Sequence, residues 1–400
     1  MGSSAPAELP SASSPSLVLT HPTPAEKRRT WTLSHAMWGG ALKLDDYLRR
    51  EEYLATVPVA KDGGMTHWIL TDGSLPPDAR PILSSCETLT KRAIACRAGG
   101  DGGIQEGVAF GIASVFTDPQ FRGRGYARRM MNDLGPALSG QSEEAARSNG
   151  PGSRPLFSVL YSDIGKEFYT KSGWAPFESS HLAFTPAPSL TPAGGEPAST
   201  AKPIGYHELA ELCAADERLL RARLARQARE LEAAGAQKKV CVALVPNLDT
   251  MLWHLMREDY MTKHIFGRTP TVRGAVFGEP GRRVWAVWTR GYYGGLQTME
   301  GNTLHVLRVA VEDEEQISED YLGEGFRSIV QIAQAEAAEW HSQDVQMWNP
   351  SPLLRRAADR SGIKHEFVER DKESIASLMP YTGEAASEVD WVLNEKFGWC

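Results

Sequence analysis

The sequence contains few cysteines and no pattern that would join them. Its five cysteines are Cys86, Cys96, Cys213, Cys241 and Cys400. An odd number of scattered cysteines without a Cys-x-x-Cys pair is not the framework of a disulfide-rich protein, and it lacks the ligand spacing of a structural zinc site. We therefore expect reduced thiols, no metal and a cytoplasmic location.

Positive charge and long apolar runs are also scarce. Lys and Arg number 43 against 50 Asp and Glu, which gives a net charge of −7. This balance argues against nucleic acid or an anionic membrane as the main partner. The longest apolar stretch, "GVAFGIASVF" at 107–116, is broken by glycine and is too short to cross a bilayer. Residues 1–16 lack the basic and apolar regions of a signal peptide, so we expect a disordered N-terminus.

The composition nevertheless supports large cores, because 42% of the 400 residues are hydrophobic. A chain of this length usually forms two domains. The segment 185–203, "TPAPSLTPAGGEPASTAKP", has the Pro, Ala and Gly content of a linker. It predicts domains at 17–184 and 204–400. A second polar segment, 139–154, predicts a surface loop.

Hydrophobic periodicity predicts a mixed α/β fold for residues 17–184. The predicted order is strand, two helices, three strands, helix, strand, helix and strand. The stretch "QFRGRGYARRMM" at 120–131 lies between the fourth predicted strand and the following helix. Glycines expose backbone N–H groups, the helix start adds unpaired donors, and two arginines add positive charge. This combination predicts a phosphate-binding loop.

Three common phosphate motifs do not fit this loop. A Walker A loop would need Gly-Lys-Ser/Thr, and Arg128 replaces the third glycine of a dinucleotide fingerprint. An RGG-type RNA segment would need repeats, and the chain has one copy. The pattern Arg/Gln-x-x-Gly-x-Gly/Ala is met instead, by Arg122, Gly123, Arg124, Gly125, Tyr126 and Ala127.

This pattern resembles the pyrophosphate loop of the GNAT acetyltransferases, which bind acetyl-CoA. The preceding "SVFTDP" is similar to the splayed fourth strand of that family, and "EFYTKSGW" at 167–174 is similar to its second signature. The resemblance implies that backbone groups of Val115, Phe116 and Thr117 hold the pantetheine arm and that one N–H stabilises the oxyanion. It also implies that Tyr169 protonates the leaving thiolate; the alternative is an ordinary amphipathic tyrosine. Ser162 and Asp163 replace an asparagine that often helps to hold CoA.

The amine acceptor must lose a proton before it attacks, because a lysine ε-amine has a pKa of about 10.4. Glu87 and Glu106 are the acidic residues nearest the expected cleft, and each is a candidate base. Either one also fits a solvated strand position or a negative surface that attracts a cationic substrate.

Three further phrases resemble the lysine N6-acetyltransferases of lysine catabolism, a fungal branch of this family. They are "THWILTDG", "ILSSCETLTKRA" and "NEKFGWC", and they span both halves of the chain. This resemblance implies acetyl transfer to the ε-amine of free L-lysine. The alternatives are a protein-lysine or polyamine acetyltransferase, and a CoA-sensing scaffold without chemistry. The oligomeric state stays open.

The second half repeats the order of the later part of the first, which predicts a degenerate GNAT-like domain. At the position of the glycine loop it has the acidic run "EDEEQISED", so we expect no CoA binding there. Trp285, Trp288, Tyr292 and Tyr293 fit either a packed β core or a wall of the acceptor pocket. Arg290, beside these aromatics, is a candidate partner for the carboxylate of an amino-acid acceptor.

Overall fold

The computed structural model describes residues 9–97, 103–149, 154–188, 201–235 and 239–400, and for 141–149 it describes the backbone alone. Within these ranges the strands of the first half are β1 (Leu17–Thr20), β2 (Met65–Asp72), β3 (Ser84–Arg97), β4 (Gln105–Phe116), β5 (Pro155–Ser162), β6 (Ala175–Pro176) and β7 (Ser180–Phe184). Those of the second half are β8 (Lys202–Ile204), β9 (Val240–Leu244), β10 (Gly274–Phe277), β11 (Val284–Tyr292), β12 (Asn302–Val311), β13 (Asp344–Trp348), β14 (Glu366–Glu369), β15 (Ile375–Pro380) and β16 (Val389–Trp391). The helices are α1 (Pro24–Trp38), α2 (Leu44–Leu54), α3 (Tyr126–Asn149), α4 (Glu167–Thr170), α5 (Tyr206–Ala233), α6 (Leu248–Phe266), α7 (Glu319–Glu339) and α8 (Pro352–Ser361).

The mixed α/β fold predicted from the sequence is confirmed, and so is the order of its main elements. Several helix ends follow local rules. The Thr23 side chain accepts a hydrogen bond from the Glu26 N–H at the start of α1, and Asn247 caps α6 in the same way. Helix α8 ends at Gly362, whose φ of 71° a glycine adopts without strain. None of the helices in the described ranges has the length and apolar character needed to span a membrane.

The strands form two mixed sheets. Among the described residues, the first sheet has nine strands, and its main path runs β1-β2-β3-β4-β5-β15-β6. Strand β9 joins this sheet by pairing with Ala93–Arg97 at the end of β3, and β16 pairs with β9. The second sheet has seven strands in the order β14-β7-β13-β12-β11-β10-β8. Both sheets contain parallel and antiparallel pairs.

The two halves of the chain exchange strands. Strand β7, in the first half, pairs with β13 in the second sheet, while β15 of the second half lies between β5 and β6 in the first sheet. The linker predicted at 185–203 therefore does not separate the sheets. Its ends are held in place, since the Gln334 side chain donates to the Thr185 carbonyl and Lys202 begins β8. Residues 189–200 lie outside the described residues.

Two segments expected to be irregular are ordered where they are described. Helix α3 runs through the predicted loop as far as Asn149, because "EEAAR" consists of good helix formers. Of the N-terminus predicted to be disordered, residues 1–8 lie outside the description, whereas residues 9–16 contact α3. The Tyr126 hydroxyl donates to the Pro10 carbonyl at 2.6 Å, and Arg129 donates to the carbonyls of Ala12 and Ser14.

The sheets share one apolar core, which keeps the two halves from being independent. It joins Phe157 and Leu378 of the first sheet to Trp285 and Leu307 of the second, with Phe397 near the end of the chain. A separate core lies between the first sheet and α3, and another lies between the second sheet and helices α7 and α8. Most of the aromatic residues of β11 belong to these cores, as the packed-core interpretation predicted.

Ion pairs hold the acidic run between β12 and α7. Glu312 pairs with Arg283, while Glu314 and Glu315 pair with Arg223 and Arg226 of α5. The acidic run is thus paired with cations of the second half itself, Arg283 and two arginines of α5.

Candidate active site

Strands β4 and β5 separate in the middle of the first sheet. Among the described residues their parallel pairing runs from Val108 to Gly111 and then stops. Further along β4, Ser114 has a φ of 53°, and the β3–β4 register shifts between Ser85 and Glu87. A bulge of this kind bends a strand and redirects its side chains. The backbone from Ile112 to Phe116 is therefore free of β5.

The end of β4 is anchored at the residues expected to hold pantetheine. The Ser84 hydroxyl donates to the Phe116 carbonyl at 2.9 Å and lies 3.0 Å from the Thr117 hydroxyl. The Arg122 guanidinium donates to the Thr117 carbonyl at 3.1 Å. These bonds fix the chain where Val115, Phe116 and Thr117 face the gap between the strands.

The predicted phosphate loop has its donors available. Gly123 and Gly125 have φ values of 76° and 86°, which favour glycine, and α3 begins at Tyr126. No backbone hydrogen bond within the described residues uses the N–H groups from Gly123 to Ala127. The side chains of Arg122 and Arg124 are exposed beside them. Free N–H groups at a helix start, with two cations nearby, form an anion-binding surface.

Glu87 is buried beside the bulge, where two hydrogen-bond donors and a histidine surround its carboxylate. Its carboxylate accepts hydrogen bonds from the Trp31 indole at 2.9 Å and the Ser114 hydroxyl at 3.1 Å, and His67 Nδ1 lies 3.1 Å away. Burial alone would raise the pKa of Glu87. The hydrogen bond and charge of His67, together with the bonds from Trp31 and Ser114, outweigh burial and lower that pKa. Glu87 is therefore anionic at neutral pH.

Glu106 lies at the far end of the same pair of strands. In the β3–β4 register Glu106 is opposite Ile94, whereas Glu87 is opposite Ala113. Arg221 of α5 pairs with the Glu106 carboxylate. The structure thus separates the two candidate bases and places only Glu87 at the bulge.

Tyr169 lies in α4 and is 8% exposed, within the core that contains α3. Burial raises the pKa of its phenol, and the nearby Cys86 and Asp163 add to this shift. The hydroxyl is therefore protonated at neutral pH, as a proton donor must be. At the departure from the family pattern, the Ser162 hydroxyl donates to the Gly165 carbonyl and Asp163 accepts from the Ser374 N–H.

Residues near the end of the chain lie against β3 and β4 where the β4–β5 pairing ends, a position that no local sequence pattern indicates. A Cβ on Gly111 would lie 2.7 Å from Cys400 Sγ. Lys91, buried on β3, donates to the carbonyls of Gly398 and Trp399 at 2.8 and 3.0 Å. The family resemblance includes this segment, "NEKFGWC", but it does not predict where the segment lies in the fold.

Arg290 does not line an open cleft, so the interpretation of it as a carboxylate-binding residue is wrong. It is 1% exposed and donates to Glu258 at 2.6 Å and to Glu336 at 2.5 Å. Glu258 also binds Arg273 at 2.7 Å. Arg290 is a structural cation that already has its partners.

His67 and Trp31 were not identified from the sequence as residues of the site. His67 is directly opposite Glu87 in the antiparallel β2–β3 register, so a known register would have found it. Trp31 reaches Glu87 from α1, 56 residues away in the chain, and no local pattern indicates such a contact.

Comparison with known proteins identifies relatives of this chain. Residues 181–400 match the family model described as the LYC1 GNAT-like C-terminal domain. A lysine acetyltransferase of Yarrowia lipolytica is 28% identical over 302 residues, covering 68% of this chain and 71% of that protein. An uncharacterised protein of Saccharomyces cerevisiae, YGR111W, is 22% identical over 409 residues, covering 94% of this chain and 96% of that protein.

Among solved structures, the N-myristoyltransferase of Saccharomyces cerevisiae with bound myristoyl-CoA is similar, with a TM-score of 0.50. The two share 9% sequence identity over 96% of this chain and 82% of that chain. At this identity the similarity concerns the fold alone.

Proposed function

This chain belongs to the family of the LYC1 GNAT-like C-terminal domain, and we propose from that membership that it moves the acetyl group of acetyl-CoA to the ε-amine of free L-lysine. It is an acyl-CoA-dependent N-acetyltransferase. One observation carries the proposal: the free N–H groups at the start of α3, the gap after Gly111 and the Glu87 carboxylate all belong to one sheet region.

The glycine loop binds the pyrophosphate of acetyl-CoA in this proposal. The N–H groups from Gly123 to Ala127 donate to phosphate oxygens, while Arg122 and Arg124 supply positive charge. The pantetheine amides pair with the open edge of β4 at Val115, Phe116 and Thr117, as an added strand would.

Glu87 acts on the acceptor. Its anionic carboxylate attracts the ε-ammonium group and accepts a proton from it, directly or through a water molecule. Because the low pKa of Glu87 makes it a weak base, attraction of the ammonium is the larger part of its role. The neutral nitrogen then attacks the thioester carbon.

The tetrahedral intermediate is stabilised and collapses at the gap between the strands. A β4 N–H donates to the oxyanion, which costs little reorganisation because the strand end is already anchored. The C–S bond breaks, the thiolate takes the phenolic proton of Tyr169, and the attacking nitrogen passes its second proton to water. Proton exchange with water then restores the Tyr169 phenol and the Glu87 carboxylate. The products are N6-acetyllysine and free CoA.

Thiol release from acetyl-CoA tests this function. Purified protein is offered free L-lysine, other free amino acids, polyamines and histone peptides. Free L-lysine is expected to give the highest kcat/KM, with N6-acetyllysine identified by mass spectrometry. Preference for a peptide or a polyamine would replace the lysine assignment, and acetyl-CoA binding without turnover of any amine would favour a CoA-sensing role.

A further inference from the structure

Two basic side chains contact the same tryptophan ring between the two sheets. Lys396 Nζ lies 4.0 Å from the ring centre of Trp348, and the Arg370 guanidinium carbon lies 4.1 Å from it. Lys396 Nζ is also 4.1 Å from the ring centre of Trp399. Lys396 is 6% exposed, so this ammonium is almost entirely removed from water.

Arg370 has hydrogen-bond donors without acceptors among the described residues, and burial together with the charges of Arg370 and Arg257 lowers the pKa of Lys396. Arg370 donates through Nη1 to the Ser180 carbonyl at 2.6 Å, whereas its Nε and Nη2 are buried and unpartnered. No carboxylate among the described residues lies within 4 Å of the nitrogen atoms of Arg370 or Lys396. The nearby Asp163 acts on Lys396 only at longer range.

Two histidines adjoin these cations, and burial lowers the pKa of both, to about 4 for His181, so at neutral pH they add hydrogen-bonding groups without charge. His181, which is 8% exposed, pairs with Trp348 across β7 and β13, and the His305 ring centre is 6.0 Å from that of Trp348. The Nδ1 atoms of both histidines are buried without a partner. We call Lys396, Arg370, His181 and His305 the basic cluster.

Fully buried arginines elsewhere, such as Arg290 and Arg308, are paired with acids. Arg290 binds Glu258 and Glu336, and Arg308 binds Asp216 and Glu395. Removing a cation from water without a counter-charge costs several kcal/mol, which a cation–π contact only partly offsets. The basic cluster therefore lacks a counter-charge, and an anionic ligand would supply it.

The basic cluster lies close to β5 and to Cys400. The Tyr161 ring, on the β5 side of the gap, is centred 5.7 Å from Trp348. The thiol of Cys400, which lies against Gly111, is influenced both by the Glu87 carboxylate and by the Lys396 ammonium. The acidic Glu87 and the basic Lys396 thus both lie near Cys400.

We propose that the basic cluster binds the carboxylate of the acceptor, so that the acceptor is a free amino acid whose amine lies at Glu87 and whose carboxylate lies at Arg370 and Lys396. This inference rests on the proposed acetyl transfer. It disfavours polyamines, which bring only positive charge to the cluster, and internal lysines of peptides, which have no carboxylate at that distance. The partner of the carboxylate is thus this cluster rather than Arg290.

The decisive experiment compares ligands that differ only at the carboxylate. Calorimetry in the presence of CoA measures binding of L-lysine, L-lysinamide and cadaverine to the full-length protein. We expect L-lysine to bind at least roughly 10-fold more tightly than either analogue, the scale of one charge-assisted bond. Equal binding of the three would overturn the proposal, and this comparison needs no variant.

Variants then locate the effect. Arg370→Gln and Lys396→Met should each reduce the preference for L-lysine over L-lysinamide to less than about 3-fold, with acetyl-CoA binding unchanged. Arg355→Gln is the matched control, because its exposed guanidinium contacts Phe367 outside the cluster. A preference that survives both cluster variants, or a loss of acetyl-CoA binding instead, contradicts the assignment.

The two hypotheses can fail separately. If L-lysine binds through its carboxylate but no acetyl group is transferred, the proposed function fails and the basic cluster stands. If acetyl transfer occurs equally on L-lysine and L-lysinamide, the transferase stands and the carboxylate site fails.

Discussion

The Ser114 hydroxyl donates a 3.1 Å hydrogen bond to the Glu87 carboxylate, and Ser114 is the residue at which β4 takes a positive φ. Ser114, the residue at the bulge, therefore also contacts the candidate base. A serine at φ 53° is strained relative to glycine, and such strain is concentrated at functional sites. The Ser114 backbone conformation at the gap also brings the Ser114 hydroxyl to Glu87.

Glu87→Gln should lower kcat for amine acetylation by roughly 10²-fold or more, because the amide can neither attract the ammonium nor accept its proton. Acetyl-CoA affinity should change little. Glu106→Gln is the matched comparison, since Glu106 is bound to Arg221 at the other end of β4. Steady-state kinetics of both variants decide between the two carboxylates: a loss with Glu106→Gln alone would reverse the assignment.

Tyr169→Phe should lower kcat by roughly 10²-fold, because the phenylalanine lacks the proton that the departing thiolate takes up. Burial raises the pKa of Tyr169, so the wild-type phenol stays protonated as the pH rises through the neutral range. We therefore expect no alkaline decline of kcat from this group below about pH 10. Wild-type turnover by the folded variant would make Tyr169 a packing residue.

Gly125→Val should abolish acyl-CoA binding. Its φ of 86° is unfavourable for valine, and a Cβ there would lie 3.2 Å from the Ala12 side chain. Gly140→Val is the control: Gly140 lies in α3, the helix that follows Gly125, and a Cβ there would meet nothing within 4 Å. Isothermal titration with acetyl-CoA measures both. Unchanged affinity of a folded Gly125→Val protein would remove the phosphate loop from the site.

Features that depend on neighbouring residues could be predicted from the sequence. The glycine loop and the helix that follows it are encoded within twelve residues, and the alternation of apolar residues identified β3 and β4. The exchange of β7 and β15 between sheets could not be predicted, because pairing partners more than 160 residues apart leave no local signal. The same limit explains why the prediction for Arg290 was wrong. Its strand was identified from the sequence, but its partners Glu258 and Glu336 were not.

Truncation after Pro203 should leave a first half that does not fold on its own. It would remove β9 and β15, and with them the partners of Ala93–Arg97 in β3 and of Phe157–Ser162 in β5. Unpaired edges and an exposed shared core favour aggregation. Circular dichroism during urea titration should show no cooperative transition; a cooperative one, with acetyl-CoA binding retained, would show that the first half is an independent domain.

Glu26→Gln should destabilise the protein in a pH-dependent way. Glu26 is fully buried at the start of α1, where Arg80 donates to both of its oxygens at 2.8 and 2.9 Å. The hydrogen bond from Arg80 is the largest influence and, against the effect of burial, lowers the pKa of Glu26 to about 2. We expect the variant to lose about 1–3 kcal/mol at pH 7, the scale of a hydrogen bond to a charged group.

The pH dependence follows from the direction of that shift. Between the ordinary pKa of 4.5 and the folded value of about 2, the unfolded chain binds a proton that the folded protein does not. The stabilisation by Glu26 is therefore complete above pH 4.5 and is lost as the pH falls towards 2. Urea midpoints of wild type and variant should differ at pH 7, differ less at pH 3 and converge near pH 2. Glu52→Gln, which breaks an exposed pair with Arg28, should have almost no effect at either pH. Since α1 also carries Trp31 to Glu87, a constant difference across this pH range would mean that Glu26 is not the ionised anchor of that helix.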